Sequence, residues 1–385
     1  MAENNAQFDY KSEFLNYIKE NSNDCNELYN PENSNYSLFE KKLIKNVNSE
    51  IDELLYKMSE PRGISPDIHV YCVNSEDVNA FCFVINNHYY IGVTSGTYVK
   101  LIRKTQALSE YLVKEHKLKL YDDKTDCEIQ ALLWLYSFKM ILTHEYMHII
   151  LGHCDTVCAE RMFLREIDNS ADYKLSEYIF GIKEMQAIEM FADDFSAIDA
   201  AWQVMYLAND IADIRYRLLI YYFSILLVFS IFEQYGEEDI THPKLSMRFH
   251  SMIASVNEII IQDSDIEKTK DDIEQIEKVI EDFMEIIKLY PELFSYGIVT
   301  DFDRKEFDDY YLDLYNIASE VVKITNKKAI LPANEFEKMD KSVLEELELE
   351  RDILWYASEN GLSYEEGCEL IEKAKNLLER DKGKK

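Results

Sequence analysis

The sequence predicts a mainly helical α+β fold, in which a small β-sheet with a hairpin packs against one central helix. Glycine (10 residues) and proline (6) are scarce among 385 residues, which favours long helices over the many tight turns of an all-β fold. Runs of β-branched and aromatic residues are confined to residues 68–93. Most of the remaining chain carries apolar residues at helical spacing.

Composition narrows the classes of function. The net charge is −32 at pH 7, so the chain repels phosphate backbones and no nucleic-acid partner is expected. The seven cysteines follow no framework spacing, which fits reduced thiols in a cytoplasmic protein. Residues 1–7 lack an apolar signal core. The apolar run 218–232 is short for a bilayer crossing, so we expect a buried core helix and no membrane span.

Two helices are predicted before the sheet. Residues 8–20 and 37–58 carry apolar residues at helical spacing, and Ser37 with Glu40 has the pattern of a capping box. Proline and glycine follow directly and interrupt the pattern, which marks a connection. We therefore define an N-terminal helical segment of residues 1–60.

The β region comes next. Residues 68–73 predict a first strand, because they are rich in β-branched and aromatic side chains. Residues 81–85 and 88–93 flank the pair Asn86-Asn87, which predicts a hairpin with a two-residue turn. A helix is expected to begin at 94–96 and to run to about residue 115.

His144 and His148 stand four apart in a long apolar segment, 126–152, which we predict to be one buried helix. On a helix this spacing directs both imidazoles from one face, so that they can bind one metal ion. Glu145 follows the first histidine and lies about 100° further around the helix. Two buried imidazoles and a buried carboxylate are unfavourable without partners, and a metal supplies one. The alternative is a core helix with two hydrogen-bonded histidines.

A second predicted helix, 184–207, supplies carboxylates. Glu189 and Asp193 are four apart and share a face, and the small Ala192 allows a close approach to the first helix. A carboxylate from a second helix completes a catalytic zinc site that already has two histidines. Asp193 is placed to accept a hydrogen bond from a ligand histidine. The apolar stripe of this helix consists of Ile188, Phe191, Phe195, Ile198 and Trp202.

Some assignments near the motif stay open. Asp193 or Glu184, rather than Glu189, could be the third ligand. His153 is expected to support the site or the fold rather than to bind the metal. Cys154 and Cys158 are expected to be packing residues, with metal ligation as the alternative.

A further helix is predicted to start at Thr241-His242-Pro243, because proline suits the first helical turn. His242 is either an ordinary residue of the helix start or a donor to an oxyanion that develops during catalysis. Arg248 lies on the same helix. The remaining chain, residues 256–385, is predicted to be an acidic helical region with a heptad-like stripe, and it contains no recognisable chemistry.

Four stretches resemble, in order, the gluzincin zinc metalloendopeptidases of the CAAX-prenyl-protease and HtpX heat-shock-protease type. They are Asn79-Ala80-Phe81 with the hairpin through Gly96, His144 to His148, Glu189 to Asp193, and Thr241-His242-Pro243 through Arg248. They fall within residues 61–255, which the resemblance marks as a metallopeptidase domain. Members of that family commonly carry transmembrane helices, and this sequence has no convincing one.

The resemblance implies the zincin-like fold of that family and one Zn²⁺ per chain, bound by His144, His148 and Glu189. It implies that Glu145 is the general base for a zinc-activated water that hydrolyses peptide bonds. It assigns further roles as follows: catalysis to His242, support of the site to Asp193 and Arg248, and binding of an extended substrate backbone to Asn79 and Ala80.

The expected partner is therefore a protein or peptide substrate, and the helical C-terminal region could add a partner or self-association surface. Two other functions remain open. One is a non-catalytic zinc-binding regulatory or interaction protein. The other is a soluble protease of the phage-exclusion type, with a single specific protein substrate, because such proteases look similar around the HExxH segment.

Overall fold

The computed structural model describes residues 9–21, 27–45, 51, 68–86, 88–114, 125–156, 173–174, 179–180, 182–235, 242–262 and 269–289, and single positions at 299, 305, 307, 310, 314 and 317. All of them belong to one compact unit of the chain, Met1–Ile330. The described part is mainly helical with a small mixed sheet, which confirms the predicted fold class. The predicted acidic helix at 341–381 lies outside the described residues, and the three-part division of the chain stays a prediction.

The described elements comprise nine helices and five strands. The helices are α1 (Tyr10–Asn21), α2 (38–45), α3 (Ser95–Lys114), α4 (Asp126–Ile150), α5 (His153–Thr156), α6 (Ile182–Tyr206), α7 (Ile211–Tyr235), α8 (Leu245–Gln262) and α9 (Lys270–Leu289). The strands are β1 (Ile68–Val73), β2 (Ala80–Ile85), β3 (His88–Thr94), β4 (Tyr173–Lys174) and β5 (Ile179–Phe180). β4 and β5 form a separate two-stranded sheet that the sequence did not predict.

The larger sheet has β3 in the middle, with β1 parallel on one side and β2 antiparallel on the other. The turn between β2 and β3 contains Asn86, whose φ of 49° is a left-handed conformation that asparagine tolerates. The hairpin register pairs Ala80 with Val93 and Ile85 with His88. The predicted hairpin is therefore confirmed, and β2 is an edge strand of this sheet.

The two faces of the sheet bury different side chains because neighbouring residues of a strand point in opposite directions. On one face, Phe81, Phe83 and Tyr90 pack around Phe14 of α1. On the other face, Cys82 and the side chains of β2 and β3 that point in the same direction join the large core around α4. The sheet is thus a layer between α1 and α4, and its α4 side adjoins the histidine motif.

Helix α4 is the central element of the described structure. Its start is fixed by a reciprocal capping box, in which Thr125 Oγ1 accepts from the Glu128 backbone at 3.2 Å and Glu128 Oε2 accepts from the Thr125 backbone at 2.8 Å. The helix then contacts α3, α6, α7, β2 and β3. Its predominantly apolar sequence matches this burial on several sides.

The most apolar helix, α7, packs against α4 and α9. It is one helix of the described part that is long and apolar enough to cross a membrane, but 89% of its most apolar stretch is buried inside the fold. This burial is what the sequence analysis expected of residues 218–232.

Two local predictions on the helices can be compared with the structure. The capping box of Ser37 and Glu40 is present, because each residue accepts a hydrogen bond from the backbone of the other. On α6, Ile188 of the predicted apolar stripe is buried, whereas Phe195 and Trp202 are 38% and 49% exposed. Part of the predicted stripe, at Phe195 and Trp202, therefore lies outside the buried face of α6.

Candidate metal centre

The candidate site lies where α4 and α6 pack side by side. His144, Glu145 and His148 occupy the last two turns of α4, and Glu189 lies on the facing side of α6. Ala192 is fully buried in the shared core, where a small side chain permits the two helices to approach closely. All four polar residues are at most 9% exposed, so water solvates their charged forms poorly.

Three ligand atoms form a nearly equilateral triangle. His144 Nε2 is 3.1 Å from Glu189 Oε2, and His148 Nε2 is 3.1 Å from His144 Nε2. The third edge, from His148 Nε2 to Glu189 Oε2, is 3.5 Å. Around a tetrahedral zinc with ligands about 2.0–2.1 Å away, neighbouring ligand atoms are about 3.3 Å apart. The triangle therefore has the size that a tetrahedral metal ion requires.

The donor set also fits a metal chemically. Two imidazole nitrogens that face each other at 3.1 Å can form one hydrogen bond at most, and a cation between them satisfies both lone pairs. Within the part of the chain that the structure describes, His144, His148 and Glu189 are the group of histidine, cysteine or acidic residues with this geometry. The structure thus contains a buried group that could hold a metal ion, as the sequence predicted.

The charged pair of Asp193 and Arg248 lies next to His144, on the side of the ring that points away from the triangle. Asp193 Oδ1 is 2.9 Å from His144 Nδ1, and both carboxylate oxygens of Asp193 also accept hydrogen bonds from Arg248, at 2.6 and 2.9 Å. A proton on Nδ1 donated to Asp193 leaves Nε2 of the ring with its lone pair toward the triangle. Since Asp193 is engaged in this way, it supports a ligand and is not itself the third ligand of the described group.

Neighbouring charges outweigh burial in setting the pKa values of His144, Asp193 and Glu189. Burial alone lowers the pKa of His144, but Asp193 and Glu189 outweigh it and raise that pKa to about 10. Burial alone raises the pKa of Asp193, yet Arg248 and His144 lower it to about 2. The pKa of Glu189 is held well below its usual range, because His242, His148 and His144 outweigh the effect of burial. Without a metal, the ring of His144 is therefore protonated on both nitrogens and positively charged at neutral pH.

Behind His148 lies a second imidazole. His148 Nδ1 is 2.9 Å from His153 Nδ1, and His153 is 1% exposed. Burial lowers the pKa of His153 well below its usual value, so its ring is neutral. In the tautomer of His148 that presents the Nε2 lone pair to the triangle, His148 Nδ1 donates to His153 Nδ1. Gly152 makes this contact possible, because its φ of 73° turns the chain sharply after α4 and starts α5 at His153.

Glu145 is 6% exposed and lies beside the edge strand and the charged pair. The charge of Glu145 is near enough to the Cys82 thiol of β2 to help raise the pKa of that thiol, and near enough to Arg248 to favour its charged form. No local pattern predicts that Cys82 lies near Glu145, because the two residues are far apart in the chain.

His242 lies just before α8, and its Nε2 is 3.0 Å from Glu189 Oε2. That is the same oxygen that faces His144 and His148, so three imidazoles surround it. The side chain of His242 is 23% exposed, which makes it the more open side of the group. The structure thus brings His242 and Arg248 to the site, as the resemblance implied.

Asn79 and Ala80 lie at the start of the edge strand β2. The backbone N–H of Asn79 donates to Thr94 and Thr97, and its carbonyl accepts from the Thr94 backbone at 3.0 Å. The backbone of Asn79 is therefore engaged within the fold. Ala80 pairs with Val93 through the inner side of β2. Their role in binding substrate stays a prediction.

Of the alternative third ligands, Asp193 is accounted for by Arg248 and His144, and the side chain of Glu184 lies outside the described residues. No protein-family model, curated protein or solved structure matches this chain. The description of the metal centre therefore depends on the geometry of these residues alone.

Proposed function

We propose that this protein is a zinc-dependent metalloendopeptidase of the gluzincin type. The observation that carries the proposal is the triangle of His144, His148 and Glu189 with Glu145 next to it in the chain. Three protein ligands leave one position of a tetrahedral zinc for water or substrate, whereas a structural site closes all four. A glutamate directly after the first histidine has no purpose in a structural site, but a hydrolase needs it as a base.

Zinc, when bound, supplies a Lewis acid that polarises a peptide carbonyl and makes water acidic near neutral pH. Glu145 accepts the proton of the attacking water and transfers it to the nitrogen of the leaving amine. Asp193 and His153 hold the rings of His144 and His148, each by accepting an Nδ1 proton, so that both Nε2 atoms face the metal.

His242 has a proposed role in stabilising the reaction. Its Nε2 lies at the open side of the group, where a donor could bind the negative oxygen that forms on the carbonyl carbon. Burial of the site on its other sides strengthens such a hydrogen bond. We further propose that an unfolded or extended protein segment is the substrate, lying along the outer side of β2.

The test is the variant Glu145→Gln. It keeps the shape of the side chain but removes the base, so we expect full metal content and at least about a hundredfold lower hydrolysis. The probe is labelled, unfolded casein, with metal content measured on the same preparations. Hydrolysis of the probe by Glu145→Gln at the wild-type rate would refute the assignment of the base.

A matched control is available in the same chain. Glu40 is as buried as Glu145, each being 6% exposed, but it pairs with Arg103 and does not belong to the metal group. Glu40→Gln should leave the hydrolysis rate unchanged. Profiling of protein termini in cells that express wild type or Glu145→Gln would then separate a broad protease from one with a single substrate, such as the phage-exclusion type.

One observation favours a second function. His242 is close enough to Glu189 Oε2 to serve as a fourth protein ligand, which would close the site and make the metal structural. The protein would then be a non-catalytic zinc-binding interaction protein. His242→Ala separates the two: it lowers metal affinity if His242 is a ligand, and lowers only the hydrolysis rate if His242 is an oxyanion donor.

A further inference from the structure

Two cysteines meet beside the candidate metal centre although 72 residues separate them in the sequence. Cys82 lies on the edge strand β2 and Cys154 on α5, and their Sγ atoms are 3.4 Å apart. Each is 1% exposed. Since α5 begins directly after the glycine that ends α4, this contact joins the edge strand to the end of the histidine helix.

The pair is connected to Glu145. The Cys82 thiol contacts Cys154, and the charge of Glu145 is near enough to help raise the pKa of that thiol. A change in the chemistry of Cys82 therefore acts directly on the side chain that we propose as the base.

We propose that Cys82 and Cys154 are an oxidisable thiol pair that forms a reversible disulfide next to the metal centre. A disulfide has an S–S distance of about 2.05 Å, so the sulfurs need to approach by about 1.4 Å. The pair is thus held near bonding distance by the fold, in contrast to two cysteines that must first find each other.

The oxidant of the proposal is a peroxide, such as hydrogen peroxide. One sulfur, as thiolate, attacks the O–O bond and becomes a sulfenic acid, and the other peroxide oxygen leaves as water. The second thiol then attacks the sulfenic sulfur, the S–S bond forms and the hydroxyl leaves as a second water. In total the two thiols lose two protons and two electrons, and one peroxide is reduced to two waters.

The first step is slow and the second is fast. Burial, together with Cys154 and Glu145, raises the pKa of the Cys82 thiol well above its usual value, so little thiolate is present to attack peroxide. Once a sulfenic acid forms, the neighbouring sulfur is already in contact and captures it. The pair should therefore yield a disulfide rather than higher oxidation products.

The effect on activity rests on the proposed function. A disulfide replaces the S–H group of Cys82 near Glu145 and fixes β2 to α5. We expect hydrolysis of unfolded casein to fall severalfold on oxidation and to recover on reduction. Metal content should stay unchanged, because neither cysteine belongs to the His144, His148 and Glu189 group.

The experiment uses the full-length wild-type chain, treated with hydrogen peroxide and then mapped by mass spectrometry of unreduced peptides. We expect a peptide pair joined through Cys82 and Cys154, which a dithiol reductant separates. The crosslink should be absent from Cys82→Ser and Cys154→Ser. It should persist in Cys72→Ala, a matched control, since Cys72 is also buried but lies on β1.

Two results would overturn the proposal. One is that Cys82 and Cys154 both remain free thiols under conditions that oxidise the exposed Cys127. The other is that Cys154 pairs with its sequence neighbour Cys158 instead. If the Cys82–Cys154 crosslink forms but neither redox state hydrolyses casein, the thiol pair stands and the proposed peptidase function fails. Because the crosslink is measured on wild type, misfolding of a variant does not obscure it.

Discussion

The two histidines of the candidate metal centre contact different chemical groups on the sides of their rings that point away from the triangle. His144 contacts the carboxylate of Asp193, which accepts hydrogen bonds from the buried Arg248. His148 contacts the neutral ring of His153. The Asp193 side of the site is formed by Asp193 on α6 and Arg248 on α8. The His153 side is formed by the turn after α4 and by α5, which begins at His153. One side thus depends on a charge network between helices, and the other on a local bend of the chain.

This difference separates stability from metal binding. Removing one member of a buried charge pair leaves the other charge without a partner, which is strongly destabilising. Removing a neutral hydrogen-bond acceptor loses an orienting contact but leaves no charge behind. Damage to the Asp193 side should therefore affect both folding and metal affinity, whereas damage to the His153 side should affect mainly metal affinity.

The largest expected effect comes from Glu189, which both sides share. Glu189→Ala removes one of three ligands, so metal affinity should fall by more than the roughly 100-fold that the loss of a supporting residue causes. Equilibrium dialysis against zinc with metal analysis gives the number. Glu184→Ala serves as the comparison, because it tests the alternative third ligand. Equal metal retention by Glu189→Ala and wild type would exclude Glu189 as a ligand.

The next effect comes from breaking the charged side. Asp193→Ala should lower zinc affinity by about 10–100-fold, and it should reduce the free energy of unfolding by roughly 3–5 kcal/mol because Arg248 stays buried without its partner. Chelator competition and urea denaturation measure the two quantities. The double variant Asp193→Leu with Arg248→Met should recover stability but not affinity. Recovery of both would mean that Asp193 acts only on folding.

Acid should weaken the same side in the metal-free protein. The pKa of Asp193 is lowered from 3.8 to about 2 in the fold, so its contribution to stability is present above pH 4 and is lost as the pH falls toward 2. We expect a loss of about 2 kcal/mol of unfolding free energy from this group. Urea denaturation between pH 5 and 2 measures it, and Asp193→Asn should lack this component. An identical pH profile in that variant would contradict the assignment.

The smallest effect is expected on the other side. His153→Ala should lower zinc affinity about tenfold, with little change in stability, because no buried charge is exposed. His153→Gln offers an amide oxygen as acceptor and should restore part of the affinity. Chelator competition on the three proteins measures the series. If His153→Ala binds zinc as tightly as wild type, the contact with His148 has no orienting role.

Local patterns of the sequence predicted the parts of this site that belong to single elements. The spacing of His144 and His148 is a property of one helix, and the hairpin follows from an Asn-Asn turn between two apolar runs. Glu189 was predicted to face the histidines because a catalytic zinc site needs a third ligand and the small Ala192 permits close approach of a second helix, although Asp193 and Glu184 were left open as alternatives. These predictions need only the period of a helix or a strand.

Contacts between distant elements could not be predicted in the same way. The parallel pairing of β1 with β3 and the meeting of Cys82 with Cys154 depend on how whole elements pack, and no local pattern encodes them. The exposure of Trp202 was also missed, since the apolar period gives the side of α6 but not the width of its buried face. The short strands β4 and β5 are too brief to carry a period.

X-ray absorption of the zinc-loaded protein tests the central claim most directly, because it counts the atoms around the metal. We predict two imidazole nitrogens and two oxygens at about 2.0–2.2 Å, one oxygen from Glu189 and one from exchangeable solvent. Glu189→Ala should lose the bound zinc, and Glu145→Gln should give the wild-type spectrum. A spectrum with three imidazoles and no exchangeable oxygen, or with sulfur ligands, would contradict a catalytic centre built on His144, His148 and Glu189.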